Sequence, residues 1–195
     1  MDREAPRLVI LAGPNGAGKT TVSQELLKGA YAIDEFVNAD AIAKGLSAFA
    51  PESVALEAGR IMLRRIGNLV ARKKSFATET TLASRSLVGM VRDWRQRHGY
   101  QVILFYLWLP SADMAVERVA DRVRAGGHDI PEKVIRRRYE RGVVNLLGIY
   151  KDIVDEWYHI DSSRKGSLRV IAEGTMLNGE VIHEAETWRA LISGI

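Results

Sequence analysis

The chain has 195 residues, 47% of them hydrophobic and 27% charged, an ordinary globular composition at a size that fits one domain with a sizeable core. It contains no cysteine, which excludes disulfides, thiolate metal sites and cysteine nucleophiles. Its net charge of +4 is mild and suits a site for anionic nucleotides as readily as a nucleic-acid surface. No apolar run has the length of a membrane span. The charged start Met1-Asp2-Arg3-Glu4 leads straight toward the first strand, so no signal peptide and a cytoplasmic location are expected.

An apolar run over residues 8–12 predicts the first strand. It opens into Gly13-Pro14-Asn15-Gly16-Ala17-Gly18-Lys19-Thr20, a complete G-x-x-x-x-G-K-[ST] loop. Each residue type meets a physical demand. The glycines allow a tight turn and close backbone approach to a polyphosphate. Successive N–H groups form an anion-binding nest. Lys19 supplies a charge for the β- and γ-phosphates, and the Thr20 hydroxyl can join the shell of a magnesium ion. Helical spacing resumes at Thr20 and Thr21, so the order is strand, loop, helix, with the helix N-terminus adding further N–H donors. The loop therefore points to a nucleoside triphosphate, taken as ATP, bound with Mg²⁺.

A short second strand is expected at Phe36-Val37-Asn38, with a helix starting near Asp40. At a strand exit, where open α/β sheets bind ligands, Asp40 is placed to receive a proton from an attacking hydroxyl. The plainer reading makes it the N-cap of a helix over residues 41–46. A long helix is predicted over about 52–73, with Ala55, Ala58, Met62, Ile66, Leu69 and Val70 as its buried stripe. The third strand, residues 75–78, leads into Glu79, Thr80 and Thr81. Glu79 stands where an acid would hold a magnesium water or a substrate hydroxyl, and the threonines could contact an acceptor or simply end the strand.

A helix over about 84–98 follows, closed by Gly99. Residues 102–109 are apolar throughout, as a central strand covered on both faces should be. Ser111 is the expected N-cap of the next helix, with Asp113 in its first turn. Seven arginines lie between Arg118 and Arg141. Arg118, Arg122 and Arg124 precede a Gly126-Gly127 break, and Pro131 begins a helix that carries Arg137 and reaches at least Asn145. This stretch, about 115–141, suits an arginine-bearing lid that stabilises phosphate charge and expels water. The plainer reading is a solvated helix with pairs such as Asp121 with Arg124. His128 is a weaker candidate for phosphate contact, the plainer reading being an ordinary loop histidine, and Trp94, Trp108, Trp157 and Trp188 are read as packing. A last strand over 168–172 and a helix over 184–192 complete the chain. Apolar runs alternating with helical patterns predict an α/β domain over 1–195, with a mainly parallel sheet covered on both faces.

The P-loop, the Asn38-Ala39-Asp40 acid, Glu79-Thr80-Thr81 and the run from Val116-Glu117-Arg118 to Arg124 together resemble the zeta toxin family of P-loop kinases. The resemblance extends from the first strand to about Tyr139. It implies a nucleotide-kinase-like fold and ATP-dependent phosphorylation of a hydroxyl on UDP-N-acetylglucosamine. By the same resemblance Lys19 and Thr20 handle phosphate and magnesium, and Asp40 is the catalytic base. Glu79 and Thr81 sit at the sugar-nucleotide site, with Thr80 and Arg137 counted beside them. Arg118 and Arg124 reach the ATP phosphates, with Arg122 in support. The chain departs from the type members in being compact, with no segment that clearly supplies uridine contacts. Kinase chemistry therefore transfers more firmly than the substrate. The partners implied are ATP, a small-molecule hydroxyl acceptor and a separate antitoxin protein; membrane and nucleic acid are not expected. Two alternatives stay open: a kinase for another acceptor (an antibiotic, a sugar acid or a nucleic-acid end), or a nucleotide-dependent switch that transfers nothing.

Overall fold

The computed structural model describes residues 5–164 and 166–193, without the side chains of Gln24 and Glu25; the charged start at residues 1–4 lies outside them. The first strand, β1 (Arg7–Ala12), explains the layering. Leu8, Ile10 and Ala12 face one core and Val9 and Leu11 the other, and all five are fully buried. Such two-sided burial marks a central strand between two helical layers. On one side lie α3 (Ala55–Ala71), α4 (Ser86–Gln96) and α7 (Ala185–Ser193); on the other lie α1 (Lys19–Glu25) and α5 (Ala112–Arg124). The helix α6 (Glu132–Asn145) begins against the second core at Ile135 and ends in the first, where a wider turn over Leu146–Tyr150 continues it.

The seven strands run in the order β2 (Phe36–Val37), β3 (Phe76–Thr80), β1, β4 (Gln101–Trp108), β5 (Glu156–Asp161), β6 (Arg169–Thr175) and β7 (Gly179–Ile182). The first five are parallel, and β6 and β7 are added antiparallel. The chain leaves β1 toward β2 and β3 on one side, then returns to β4 on the other. The crevice at the carboxyl end of β1 is thus the topological switch point where ligands of open α/β sheets bind.

Several expectations are corrected. The β5 strand was not foreseen, because aromatic and charged residues interrupt its apolar pattern, nor was β7; the strand expected over 168–172 is found as β6, which runs on to Thr175. The predicted second strand loses Asn38, which instead caps α2 (Ala39–Leu46): its side-chain oxygen accepts the N–H groups of Asp40 and Ala41 at 2.7 and 3.1 Å. The long helix is divided, because Pro51 opens a 3₁₀ turn over Pro51–Val54 before α3 begins. Ala55 is exposed at the first position of α3, and its buried stripe starts at Ala58. The third strand runs to Thr80, so Glu79 and Thr80 lie within it, paired with Leu11 and Ala12 of β1.

On β5, His159 is fully buried, stacked on Tyr106 (5.4 Å between ring centres) and edge-on to Trp188. Neither ring nitrogen has a hydrogen-bond partner, and burial lowers its pKa from 6.5 to about 3. The folded protein therefore keeps this ring neutral while the unfolded chain protonates it below pH 6.5. Stability from this group is complete above pH 6.5 and lost as pH falls toward 3, by roughly 1 kcal/mol per pH unit. Urea melts at pH 7 and pH 5 should accordingly converge in His159→Phe relative to the original chain; an unchanged difference would show that His159 does not set it.

Candidate active site

The loop after β1 is shaped by sterics before chemistry. Gly13 adopts φ +138, and a Cβ there would lie 2.2 Å from the Leu107 carbonyl oxygen of β4, so only glycine fits. The loop then folds over the first residue of α1. The Lys19 ammonium is only 6% exposed and donates to the carbonyls of Gly13 and Pro14, both at 2.9 Å. Burial lowers its pKa; Glu79 and Asp40 oppose that shift, and the Arg122 guanidinium adds to it. A cation so placed is stabilised by any anion that enters the loop.

Glu79 organises the facing wall. One of its carboxylate oxygens accepts hydrogen bonds from the Thr20 hydroxyl and the Asn38 side-chain amide, each at 2.9 Å, and the other lies 3.7 Å from the Lys19 ammonium. The pairing of Glu79 with Leu11 is what sets this carboxylate beside the P-loop. A hydroxyl and a carboxylate oxygen in contact are hard donors of the kind Mg²⁺ takes when phosphates and water complete its shell. Among the described residues no three His, Asp or Glu side chains cluster as an all-protein metal cage. Asn38 was not among the expected site residues. It caps α2 with one end of its amide and orients Glu79 with the other, and its only sequence signal was an asparagine just before a helix.

The remaining expected residues divide. Asp40 stands exposed in the first turn of α2, near enough to Lys19 to favour its charge; the capping role falls to Asn38. Thr80 accepts the N–H of Leu82 at 3.1 Å and so serves the local turn, while the Thr81 carbonyl packs where Gly142 of α6 leaves room for it. Thr21 is exposed on α1. Arg118 is a brace: it donates to the carbonyls of Gly16 in the P-loop at 3.4 Å and of Ser162 at 2.9 Å, and also to that of Ser163. Arg122, four residues on, shares that face. Arg124 does not. Six residues from Arg118, it is turned roughly 120° away, is exposed, and pairs with Asp121 along its own helix, as the plainer reading of this stretch had it. Arg137 is exposed on α6, and it is its neighbour Arg138, unforeseen, that donates to the Asn15 side chain in the P-loop at 3.3 Å.

The family model of an AAA domain, AAA_33, matches residues 8–141, from β1 into α6. The chain belongs to this AAA-domain family. An uncharacterised protein of Haemophilus influenzae is 25% identical over 133 residues, covering 68% of this chain and 92% of its own length. Among solved structures, a chain of the AvrRxo1-ORF1:-ORF2 complex crystallised with ATP aligns over 95% of this chain with a TM-score of 0.78 at 16% identity. The present chain spans 63% of that protein's length. The PezAT toxin–antitoxin system of Streptococcus pneumoniae aligns over 86% of this chain and 72% of its own, with a TM-score of 0.61 at 15% identity. A gluconokinase from Sinorhizobium meliloti aligns over 98% and 93%, with a TM-score of 0.50 at 16% identity. The fold is that of a P-loop NTPase. Among the described residues no helix is long and apolar enough to cross a membrane.

The double duty of Asn38 is testable. Asn38→Ala should cost about 1 kcal/mol of stability through the lost cap. Asn38→Asp restores a good cap but sets a second carboxylate beside Glu79. It should melt close to the original chain and yet weaken Mg²⁺–ATP binding about tenfold, since like charges now compete at one point. Equal affinity in Asn38→Asp, measured by calorimetry, would remove Asn38 from the site.

Proposed function

We propose that this chain is a kinase that uses ATP with Mg²⁺ and passes the γ-phosphoryl group to a hydroxyl of a small molecule. The carrying observation is the cluster at the switch point: a buried Lys19 held in the P-loop, Thr20 bonded to Glu79, and Asp40 on the facing helix within electrostatic reach. The loop amides and Lys19 would hold the β- and γ-phosphates. The magnesium ion, held through Thr20 and Glu79, would neutralise charge on the bridging oxygens. Asp40, exposed and free of the capping role, is the group available to accept the acceptor's hydroxyl proton. Arg122 is the lid arginine best placed to meet charge on the group in transit.

The comparisons support this class. One neighbour of the same fold was crystallised with ATP, and another is a gluconokinase. UDP-N-acetylglucosamine is the first acceptor to test, on the resemblance to zeta toxins and the likeness to a toxin–antitoxin structure, which also motivates a search for a separate antitoxin.

A transfer screen with γ-labelled ATP over nucleotide sugars, sugars, sugar acids, nucleosides and aminoglycosides tests the proposal, with Lys19→Ala as the control that abolishes most turnover. On the acceptor found, Asp40→Asn should leave ATP affinity within about twofold while lowering transfer by roughly 10²–10⁴-fold. Transfer at the original rate in Asp40→Asn would refute the base assignment. Tight ATP binding with no transfer to any acceptor would point instead to a nucleotide switch.

A further inference from the structure

The lid loop after α5 holds one arginine in a particular way. The Gly127 N–H donates to the Arg122 carbonyl at 2.8 Å, and the Arg122 guanidinium donates to the His128 carbonyl at 2.9 Å. The loop thus folds back over the arginine that precedes it by five residues and supplies the acceptor that fixes its head. This fold-back is possible because residue 127 has no side chain. A Cβ there would stand 2.6 Å from Cγ of Arg122 and 2.8 Å from its carbonyl oxygen. The far side of the same loop is anchored too. The His128 ring lies 3.6 Å from the Glu52 carboxylate, on the 3₁₀ turn that follows α2, the helix carrying Asp40. Arg122 itself sits one helical turn beyond Arg118, which reaches the P-loop carbonyl of Gly16.

We infer that Gly127 is a positioning residue for phosphoryl transfer: its bare Cα lets the lid loop close on Arg122 and aim that guanidinium at the phosphates gripped by the P-loop. The inference deepens the kinase reading and rests on it. Three features support it independently. Arg122 is long and exposed, and a free arginine of this kind loses much of its rotamer freedom when it engages an anion. A carbonyl acceptor in place beforehand reduces that loss, as preorganised transition-state contacts do. Arg122 also lies on the face of α5 from which Arg118 reaches the P-loop carbonyl of Gly16, and its charge helps to lower the Lys19 pKa. Through Glu52, finally, the same loop touches the 3₁₀ turn that follows α2, the helix bearing the proposed base.

The experiment needs no acceptor. Mg²⁺ complexes of ADP and of a β,γ-imido ATP analogue are titrated calorimetrically into the original chain, Gly127→Ala, Arg122→Ala and the double variant. The ratio of the two affinities reports contacts to the terminal phosphate. Arg122→Ala should lower that ratio about tenfold, the size expected of a charge-assisted contact, and Gly127→Ala should lower it about three- to tenfold. The double variant should match Arg122→Ala alone, because a residue that acts through another adds nothing once that partner is gone. Glu52→Gln, an exposed change far from the core, is the second variant. It should lower the ratio about twofold, and only where Arg122 is present. Melting curves check that each protein is folded. A ratio unmoved in both Gly127→Ala and Glu52→Gln overturns the inference, as does a double variant showing the product of the two single effects. An original chain that binds neither nucleotide overturns the kinase reading and this inference with it, whereas a normal ratio in the original chain with unmoved variants overturns the inference alone.

Discussion

The buried ammonium of Lys19 is the constraint to which the rest of the site answers. A lysine removed from water is costly unless its charge is met, and replacing it and its partner by apolar groups of similar size is commonly neutral or stabilising. Here two loop carbonyls and a carboxylate at 3.7 Å meet the charge in part. The lowered pKa shows that the compensation is incomplete. An anion with several oxygens completes it. On the kinase reading proposed above, the loop glycines, the hydroxyl of Thr20 and the carboxylate of Glu79 serve to hold that anion and its counter-ion at one point.

The sheet delivers these groups to that point by register alone. Because β3 lies beside β1, the pairing of Leu11 with Glu79 places the acid next to the loop that β1 feeds. Because β4 lies on the other side, its Leu107 carbonyl closes the space behind Gly13. The α5 helix then crosses over the loop, and Arg118 ties the P-loop to the segment after β5. One cation thus joins three chain segments far apart in sequence at the edge of the crevice. A separate concavity of about 670 Å³, lined by residues such as Arg95, Tyr100, Asp155 and Met176, opens at the amino ends of the strands, away from the P-loop.

Much of this was legible in the sequence because the physics is local. The P-loop announces itself in eight residues, and β1 and β4 are apolar throughout because both of their faces are covered. Ser111 caps α5 as expected, accepting the Met114 N–H at 3.1 Å. What escaped was decided by tertiary neighbours. The β5 strand pairs aromatic rings and a neutral histidine with Tyr106, Trp108 and Trp188, a pattern that periodicity alone cannot separate from loop. Asn38, expected at the end of a strand, took the cap that the plainer reading gave to Asp40, because a cap is decided by which side chain reaches the first free N–H groups. Among the arginines, spacing identified Arg118 and Arg122 as one face. Spacing also removes Arg124 from that face, and the ion pair with Asp121 was the reading that matched the structure.

The most direct test is calorimetric melting of the original chain and Lys19→Met, each with and without Mg²⁺–ATP. If Lys19 is a charge retained for its ligand, the nucleotide raises the melting temperature of the original chain by mass action. Lys19→Met then melts no lower than the original when both are empty, and ATP leaves its melting temperature unmoved. A Lys19→Met protein that melts well below the original, yet is still stabilised by ATP, would make Lys19 a structural cation and contradict the account.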